Sequence, residues 1–479
     1  MINYRPLINL IWNSLNGIIL ALLSFLFTPL YSKLIGVENY AIINVWMITI
    51  VIVGLFDLGI NLTLNNSLSL NESSGIKERI FLKLQSKIIS RSLYVGFISL
   101  IFLIILYTIN VFNLDFFKLY SLIAVSAIFQ FLYQFYFNAY LGLQEHKKVN
   151  LYNINFNILK FLTGYVILFY SNSLLYFFIA QTLISIIQFA FLRLKAYKKI
   201  FIRNIDYKNV NVELPKLTNY TKQLTILSLS SIILAHIDRI WVYSTGDMYY
   251  YGNYAIAFVG ASLIQLIIQP FYKTFFSKYS ELFNSNNKNF SLIFISSTSM
   301  CTALLTVICI NLVVYSTPLL NIWLGELYSI EIDKNFKLLT VGITTCGFFW
   351  LPAAFMQAQK LPKFHNKMII LAIVLSLLLL SLDKLNIINF SPTIVWLIHG
   401  LTLIVFESYY LYKKFIGSKI YKIFLDGLLY PFFISFTIIY LLNNFSSYNL
   451  ISFLLSCIFS LSIVFTYYYK KNIIKHAFS

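Results

Sequence analysis

Five ionisable residues lie inside apolar stretches of the sequence, where a charge is costly and often serves a function. Two are cations, Lys160 and Arg239, and three are carboxylates, Asp57, Asp238 and Glu407. A charge at the centre of a membrane span costs roughly 2.5–3.5 kcal/mol, so such residues normally face protein or water. Two cations suit an anionic ligand such as a diphosphate, and the carboxylates are candidates for proton coupling. The alternative for each carboxylate is a fixed structural ion pair, above all for Asp238 beside Arg239.

Lys160 belongs to a polar stripe on one predicted helix. Asn153, Asn157 and Gly164 share its face at helical spacing. Lys160 lies roughly 15 Å of helix from either end of its span, which is beyond the reach of snorkelling. We therefore expect Lys160 to face a cavity. Arg239 is nearer the outer end of its span, and for this residue snorkelling is an equal alternative.

Amide side chains recur at helical spacing in several other predicted helices. Such stripes commonly hold membrane helices together, and for one stripe alone that is an equal alternative to ligand binding. Their concentration in the first half of the chain favours a hydrated cavity whose amides and aromatic rings would suit a sugar, and a drug less specifically. His236 and His399 are expected to be polar packing. The amides expected in the cavity wall are Asn13, Asn16, Asn153, Asn157, Gln134 and Gln181.

The composition is that of a membrane protein. Hydrophobic residues make up 59% of the chain and charged residues 11%, with a mean hydropathy of +0.76, whereas soluble domains carry about 25% charged residues. The net charge of +19 comes from Lys and Arg clusters in alternate loops, as the positive-inside rule requires, which argues against a nucleic-acid partner. The four cysteines show neither metal-ligand nor disulfide spacing, and no cofactor is indicated.

Apolar runs of near-spanning length predict an all-α integral membrane protein with about fourteen transmembrane helices. The tetrapeptide Asn-Tyr-Ala-Ile occurs at 39–42 and at 253–256, each time after a glycine-containing turn, which indicates an internal duplication. Six helices per half make that repeat parallel. We predict two six-helix lobes around a central cavity and two extra C-terminal helices. The bounds are 1–195 and 223–415 for the lobes, 196–222 for a cytoplasmic linker, and 416–479 for the last two helices and a cytoplasmic tail.

Several short motifs point to a family. They are Pro29 to Gly36 with Glu38 and Tyr40, Asp57 to Ile60, Gly142 to Glu145, Ile237 to Ile240, Gly252 to Ala257, and Ile322 to Gly325. In order and spacing they resemble the Wzx-type O-antigen and polysaccharide flippases. That family belongs to the multidrug/oligosaccharidyl-lipid/polysaccharide exporter superfamily, together with multidrug extruders and lipid II flippases.

The resemblance implies a non-enzymatic transporter of an undecaprenyl-diphosphate-linked oligosaccharide, such as an O-antigen unit for lipopolysaccharide, by ion-coupled alternating access. It implies the bacterial cytoplasmic (inner) membrane, contact with membrane lipids, and a polysaccharide polymerase and a chain-length regulator as candidate partners. A multidrug or small-molecule extruder of the same fold is the main alternative. A membrane polysaccharide polymerase or ligase would be an enzyme with a large external loop, whereas the predicted outside loops here are short.

The charge distribution predicts that both termini are cytoplasmic, because 29 of the 36 basic residues fall in inside segments and five in outside ones. Alkaline phosphatase fused after Asn65, Tyr197 or Lys414 is therefore expected to be inactive in intact cells. Fusion after Asn172 or Gly246 is expected to give active enzyme. Activity after Tyr197 would overturn the two-lobe organisation, because that residue lies in the proposed inter-lobe linker.

Overall fold

The computed structural model describes residues 5–70, 74–109, 113–200, 219–284, 290–359, 362–385, 387, 391–445 and 449–478. Its regular structure there is helical. Within these residues, thirteen helices are long and apolar enough to cross a membrane, or up to 14 if a bent pair counts as one span. The prediction of an all-α membrane protein with about fourteen spans is confirmed. The chain divides into two compact units, Met1–Thr225 and Ile226–Ser479, here called the N-unit and the C-unit.

The N-unit is organised around one long helix, α5. This helix contacts α2, α3, α4 and α7, while α6, the helix that carries Lys160, packs between α1 and α7. A 3-10 turn at Leu55–Asp57 separates α2 from α3. The helices are α1 (Arg5–Ile35), α2 (Val37–Gly54), α3 (Ile60–Leu70), α4 (Ser74–Thr108), α5 (Leu114–Gly142), α6 (His146–Ser171) and α7 (Leu174–Ile200).

Helix α7 continues beyond the predicted lobe end at residue 195, so the start of the predicted linker 196–222 is helical. The reason is an apolar stripe, since Leu192, Ala196 and Ile200 are buried at four-residue spacing. The Lys199 ammonium also lies 2.6 Å from the Glu145 carboxylate, and this bond lowers the pKa of Glu145. The other residues of the linker either begin the next helix from Asn219 or, at 201–218, lie outside the described residues.

The C-unit contains shorter and more often interrupted helices. Among the spans of this unit that the structure describes, the helix α11 is the most buried, because 78% of the residues in its apolar stretch lie inside the protein. The helices α9 and α10 form a pair that is bent by 44° at their junction. The helices are α8 (Asn219–Ser244, in this unit from Ile226), α9 (Met248–Ser262), α10 (Gln265–Asn284), α11 (Phe290–Val314), α12 (Ser316–Leu324), α13 (Ile330–Gly347), α14 (Trp350–Ala358), α15 (Pro362–Lys384), α16 (Ile394–Thr402), α17 (Ser408–Leu411), α18 (Tyr430–Phe445), α19 (Leu450–Lys470) and α20 (Ile473–Phe478).

Between α16 and α18 the backbone repeatedly leaves α geometry. Three π-helical turns occupy Leu403–Glu407, Tyr412–Ile416 and Ile423–Leu429. A π turn carries one extra residue for the same rise and is frequent at functional sites. The segment therefore presents its side chains in a register that an uninterrupted α-helix would not produce.

The two Asn-Tyr-Ala-Ile copies occupy related places in their units. Each follows a turn glycine with positive φ, 81° at Gly36 and 82° at Gly246. Each tyrosine hydroxyl bonds back to the preceding long helix: Tyr40 to Thr28 at 2.9 Å and Tyr254 to Asp238 at 2.6 Å. Internal duplication remains a prediction that these contacts support.

Close helix contacts in the N-unit depend on a glycine beside Lys160. A Cβ atom added at Gly164 would lie 2.6 Å from both Phe177 Cε2 and Tyr31 Oη. The Tyr31 hydroxyl in turn donates to the Phe161 carbonyl at 2.8 Å. Helices α1, α6 and α7 thus approach one another at a point where only glycine fits, as is usual for membrane helices.

Substituting valine for Gly164 is expected to destabilise the protein, because overpacking a tight contact typically costs about 1–3 kcal/mol. The measurement is the melting temperature of the detergent-solubilised protein. Gly54→Val is the matched control, since Gly54 is a helical glycine of the same unit with nothing within 4 Å of an added Cβ. Equal melting temperatures for the two variants would show that the contact at Gly164 is not tight.

Candidate functional site

Lys160 is buried within the N-unit, with 7% of its surface exposed. Its ammonium donates a hydrogen bond to Gln188 Oε1 at 2.8 Å. Among the residues that the structure describes, no carboxylate lies within 4.0 Å of that ammonium. The same glutamine oxygen accepts a second bond, from Gln130 Nε2 at 3.0 Å. The charge is therefore held by neutral amides.

Asn153 is the centre of the amide network that extends from Lys160. Its side-chain oxygen accepts hydrogen bonds from the Tyr133 hydroxyl and Asn157 Nδ2, both at 3.1 Å, and from Gln188 Nε2 at 3.5 Å. Its amide nitrogen donates to Asn16 Oδ1 on α1 at 3.0 Å. Four helices of the N-unit, α1, α5, α6 and α7, are joined through this one side chain.

The network continues along α1 and α6 toward the start of α6. Asn150 Nδ2 donates to Asn13 Oδ1 at 2.6 Å, and Asn13 Nδ2 lies 3.1 Å from His146 Nδ1. These contacts bring together the stripes that the sequence placed on separate helices. These hydrogen bonds also give the Asn13 and Asn150 amides partners within the unit. The same side chains therefore hold α1 and α6 together and form the polar face between these two helices.

Two predicted glutamines have different surroundings. Gln181 is buried, and its nitrogen donates to the Lys160 carbonyl at 2.9 Å. Gln134 is exposed on α5, and the buried glutamine that joins the network is Gln130, one helical turn earlier. Sequence spacing marked the face of α5 but could not decide which of its amides the neighbouring helices would cover.

Asp57 lies apart from this network, at the turn between α2 and α3. Its carboxylate accepts a hydrogen bond from the Asn61 backbone at 2.8 Å, and its carbonyl accepts one from Arg91. Asp57 and Lys160 do not form an ion pair within 4.0 Å. Asp57 is instead the last residue of the 3-10 turn, and its carboxylate bonds the first turn of α3.

Asp238 and Arg239 are both buried in the C-unit and point in different directions. Asp238 Oδ2 accepts hydrogen bonds from the Tyr254 hydroxyl at 2.6 Å and from Trp396 Nε1 at 2.9 Å. The Arg239 guanidinium lies 3.9 Å from the Phe258 ring centroid and 2.6 Å from His236 Nδ1. Neighbouring residues on a helix project about 100° apart. The structural ion pair, which was the alternative role for Asp238, is not formed within 4.0 Å in the described part of the chain.

A cavity of about 360 Å³ opens between α8, α10, α13, α14, α15 and α16 of the C-unit. Three histidines, His236, His365 and His399, stand on its wall together with Gln265 and Gln357. No group of three or more His, Cys, Asp or Glu within the described residues is placed to hold a metal ion. The expectation that His236 and His399 serve only as polar packing remains open, because both border this space.

Glu407 meets His365 at the edge of the same cavity. The glutamate side chain is fully buried, and His365 Nδ1 lies 3.2 Å from both of its carboxylate oxygens. Glu407 ends the first π turn, whereas His365 belongs to the first turn of α15. Sequence analysis identified Glu407 but missed His365, whose segment, Pro362 to Lys367, reads as the basic start of a span.

Comparison with known proteins gives a fold and no family. No family model matches the sequence, and no curated protein matches it. Among solved structures, the chain is similar to a lipid II flippase MurJ in an inward closed conformation, with a TM-score of 0.69, 18% identity, and coverage of 96% of this chain and 99% of that one.

Two further transporters have the same fold. A MOP superfamily transporter from Pyrococcus furiosus gives a TM-score of 0.57 at 10% identity, covering 88% of this chain and 94% of its own. An inward-facing multidrug resistance MATE family transporter gives 0.60 at 9% identity, covering 85% and 93%. At these sequence identities the likeness concerns the fold alone. The chain has the architecture of the MOP superfamily. The solved structures that it resembles are those of transporters.

Proposed function

We propose that the protein is a flippase that carries an undecaprenyl-diphosphate-linked oligosaccharide, an O-antigen or related surface polysaccharide unit, across the bacterial cytoplasmic membrane. The observation that carries the proposal is Lys160, a buried cation held by a neutral amide. An amide partner supplies no counter-charge to an ammonium, and a diphosphate is the anion that such a substrate offers. On this proposal both termini are cytoplasmic, and the flipped unit passes to a polysaccharide polymerase and a chain-length regulator.

The amides around Lys160 supply the rest of the binding surface in this proposal. Sugar hydroxyls both donate and accept hydrogen bonds, and so do Asn and Gln side chains. On the N-unit we assign this role to the residues of the network; Gln134, which is exposed, and Arg239 of the C-unit are further candidates for contact with substrate. The network residues to which we assign this role are Asn13, Asn16, Asn153, Asn157 and Gln181.

The extent of the structural likeness supports a lipid-linked substrate over a free drug. The MurJ structure, named for flipping lipid II, covers 96% of this chain, whereas the MATE family transporter covers 85%. A multidrug extruder is therefore the second candidate. The two differ in what accumulates when the protein is absent: a lipid-linked sugar on the cytoplasmic side, or the drug itself.

Lys160→Ala is expected to abolish flipping without loss of protein. In a deletion strain, long surface polysaccharide should disappear while the lipid-linked unit is still made, and Lys160→Ala should fail to restore it. The variant should fold, because Gln188 Oε1 keeps its bond from Gln130. Lys160→Arg should restore display in part, since the charge remains but the group is larger. Glycan display and protein level in the membrane are measured together.

Lys195→Ala is the matched control for Lys160→Ala, because it removes the same charge from an exposed position of the N-unit. Full glycan display by Lys160→Ala would remove Lys160 from the mechanism. Normal surface glycan in the deletion strain, together with new drug sensitivity, would favour the extruder.

Ion coupling is the second part of the proposed function, and Glu407 is its best candidate. A buried carboxylate with a histidine partner can hold a proton in one state and release it in another. Glu407 also borders the C-unit cavity through His365. Asp57 and Asp238 remain candidates. The Asp57 carboxylate bonds the backbone of α3, however, and the Asp238 carboxylate accepts hydrogen bonds from Tyr254 and Trp396.

Glu407→Gln is expected to abolish transport driven by a pH gradient while leaving substrate exchange intact, because an amide cannot take up and release the coupled proton. The measurement uses proteoliposomes loaded with the lipid-linked unit extracted from the deletion strain, with and without a gradient. Glu281→Gln, an exposed position on α10, is the control. Accumulation by Glu407→Gln equal to wild type would exclude Glu407 as the coupling residue.

A further inference from the structure

A second polar cavity of the C-unit lies away from the histidine-lined one. It measures about 320 Å³ and is enclosed by α11, the third π turn, and the segment around α20. It lies where α11 begins and α19 ends, which are adjacent ends of membrane-spanning helices. Its polar wall consists of Ser296, Ser299, Lys422, Asp426, Lys471 and His476.

The charge on this wall is positive. Its carboxylate is already bonded, since Asp426 Oδ1 accepts from the Tyr467 hydroxyl at 2.6 Å and from the Lys471 ammonium at 3.2 Å. The hydrogen bond with Tyr467 is the main cause that raises the pKa of the Lys471 ammonium, and the bond to Asp426 raises it further. Lys471 therefore stays protonated. Lys422 is exposed and has no carboxylate within 4.0 Å among the residues described. One lysine is fixed in place and a second is free to bind an anion.

A buried hydroxyl on the same wall has an unused hydrogen bond. Ser299 is 1% exposed, and its Oγ makes no hydrogen bond to any described residue. Its position is fixed, because its carbonyl accepts a bond from the Tyr468 hydroxyl at 2.9 Å. A buried hydroxyl normally has a partner, and the cavity that Ser299 lines is where one can bind.

The remaining wall is apolar, so the cavity is amphipathic. Leu292, Ile295, Leu425 and Ile473 line it beside the charged residues. Free phosphate would gain nothing from this surface, whereas a phospholipid would place its phosphodiester against the lysines and its hydrocarbon against the apolar side. Basic pockets between transmembrane helices bind anionic lipid headgroups in this manner.

We propose that this cavity binds an anionic phospholipid, with Lys422 and Lys471 contacting the phosphodiester and Ser299 donating to a phosphate or ester oxygen. The lipid would join the third π turn to α11 and to the C-terminal segment around α20. This site is independent of the transported substrate, so its test needs no transport assay.

The experiment is native mass spectrometry of the purified full-length protein titrated with phosphatidylglycerol or phosphatidylcholine. Wild type should bind phosphatidylglycerol in preference to phosphatidylcholine. The double variant Lys422→Ala/Lys471→Ala should bind phosphatidylglycerol about tenfold more weakly. The matched control is Lys419→Ala/Lys470→Ala, which removes the same charge from nearby exposed lysines that do not line the cavity.

Two further measurements separate loss of lipid binding from loss of folding. They are needed because Lys471 also bonds Asp426, so that its removal affects the local structure as well. Lys422→Ala alone should still weaken phosphatidylglycerol binding, and so should Ser299→Ala, which leaves the charge unchanged. Inorganic phosphate added in excess should leave bound lipid in place. Equal binding by the two double variants, equal binding of both lipids, or displacement by inorganic phosphate would each overturn the proposal.

Discussion

The cost of burying charge in an apolar protein is the constraint on which the rest of this structure depends. Desolvating an ammonium costs several kcal/mol unless polar groups replace the lost water. The N-unit meets that cost for Lys160 with amides instead of a carboxylate, and Asn153 links those amides across four helices. The C-unit treats Arg239 comparably, with an aromatic ring and a histidine as neighbours. Both side chains thus have neutral partners in place of a carboxylate.

Neutral solvation of this kind demands exact helix placement, because each amide has to reach a partner on another helix. Gly164 sets the distance between α1, α6 and α7, one helical turn from Lys160. In the C-unit, a Cβ atom at Gly342 would lie 2.5 Å from Trp396 Cβ, so the contact between α13 and α16 fixes the indole that donates to Asp238. Steric contacts between helices thus determine the polar geometry, and a change in helix packing would alter the surroundings of the buried charges.

Sequence patterns predicted what depends on local spacing. The length of the apolar runs predicted the spans. The helical i, i+4, i+7 spacing of Asn153, Asn157 and Lys160 placed these residues on the face that α6 shares with its neighbours. What depends on tertiary contact could not be predicted. The partner of Glu407 lies on another helix, 42 residues away, and the choice of Gln130 over Gln134 depends on which part of α5 its neighbours cover. Adjacency along the chain also left it open whether Asp238 and Arg239 pair, and in the structure the two side chains bond different partners.

The irregular backbone between α16 and α18 connects the two cavities of the C-unit. Its first π turn ends at Glu407, beside the histidine-lined cavity, and its third contains Asp426, beside the cationic one. The third turn is pressed onto α11 at Gly427, whose carbonyl accepts a bond from Thr306 at 3.3 Å. A π turn has i→i+5 hydrogen bonds where an α turn has i→i+4 bonds, so a change from one geometry to the other shifts the backbone register by one residue. Such a shift would rotate Glu407 relative to His365, so the contact between these two side chains and the backbone register of the segment would each depend on the other.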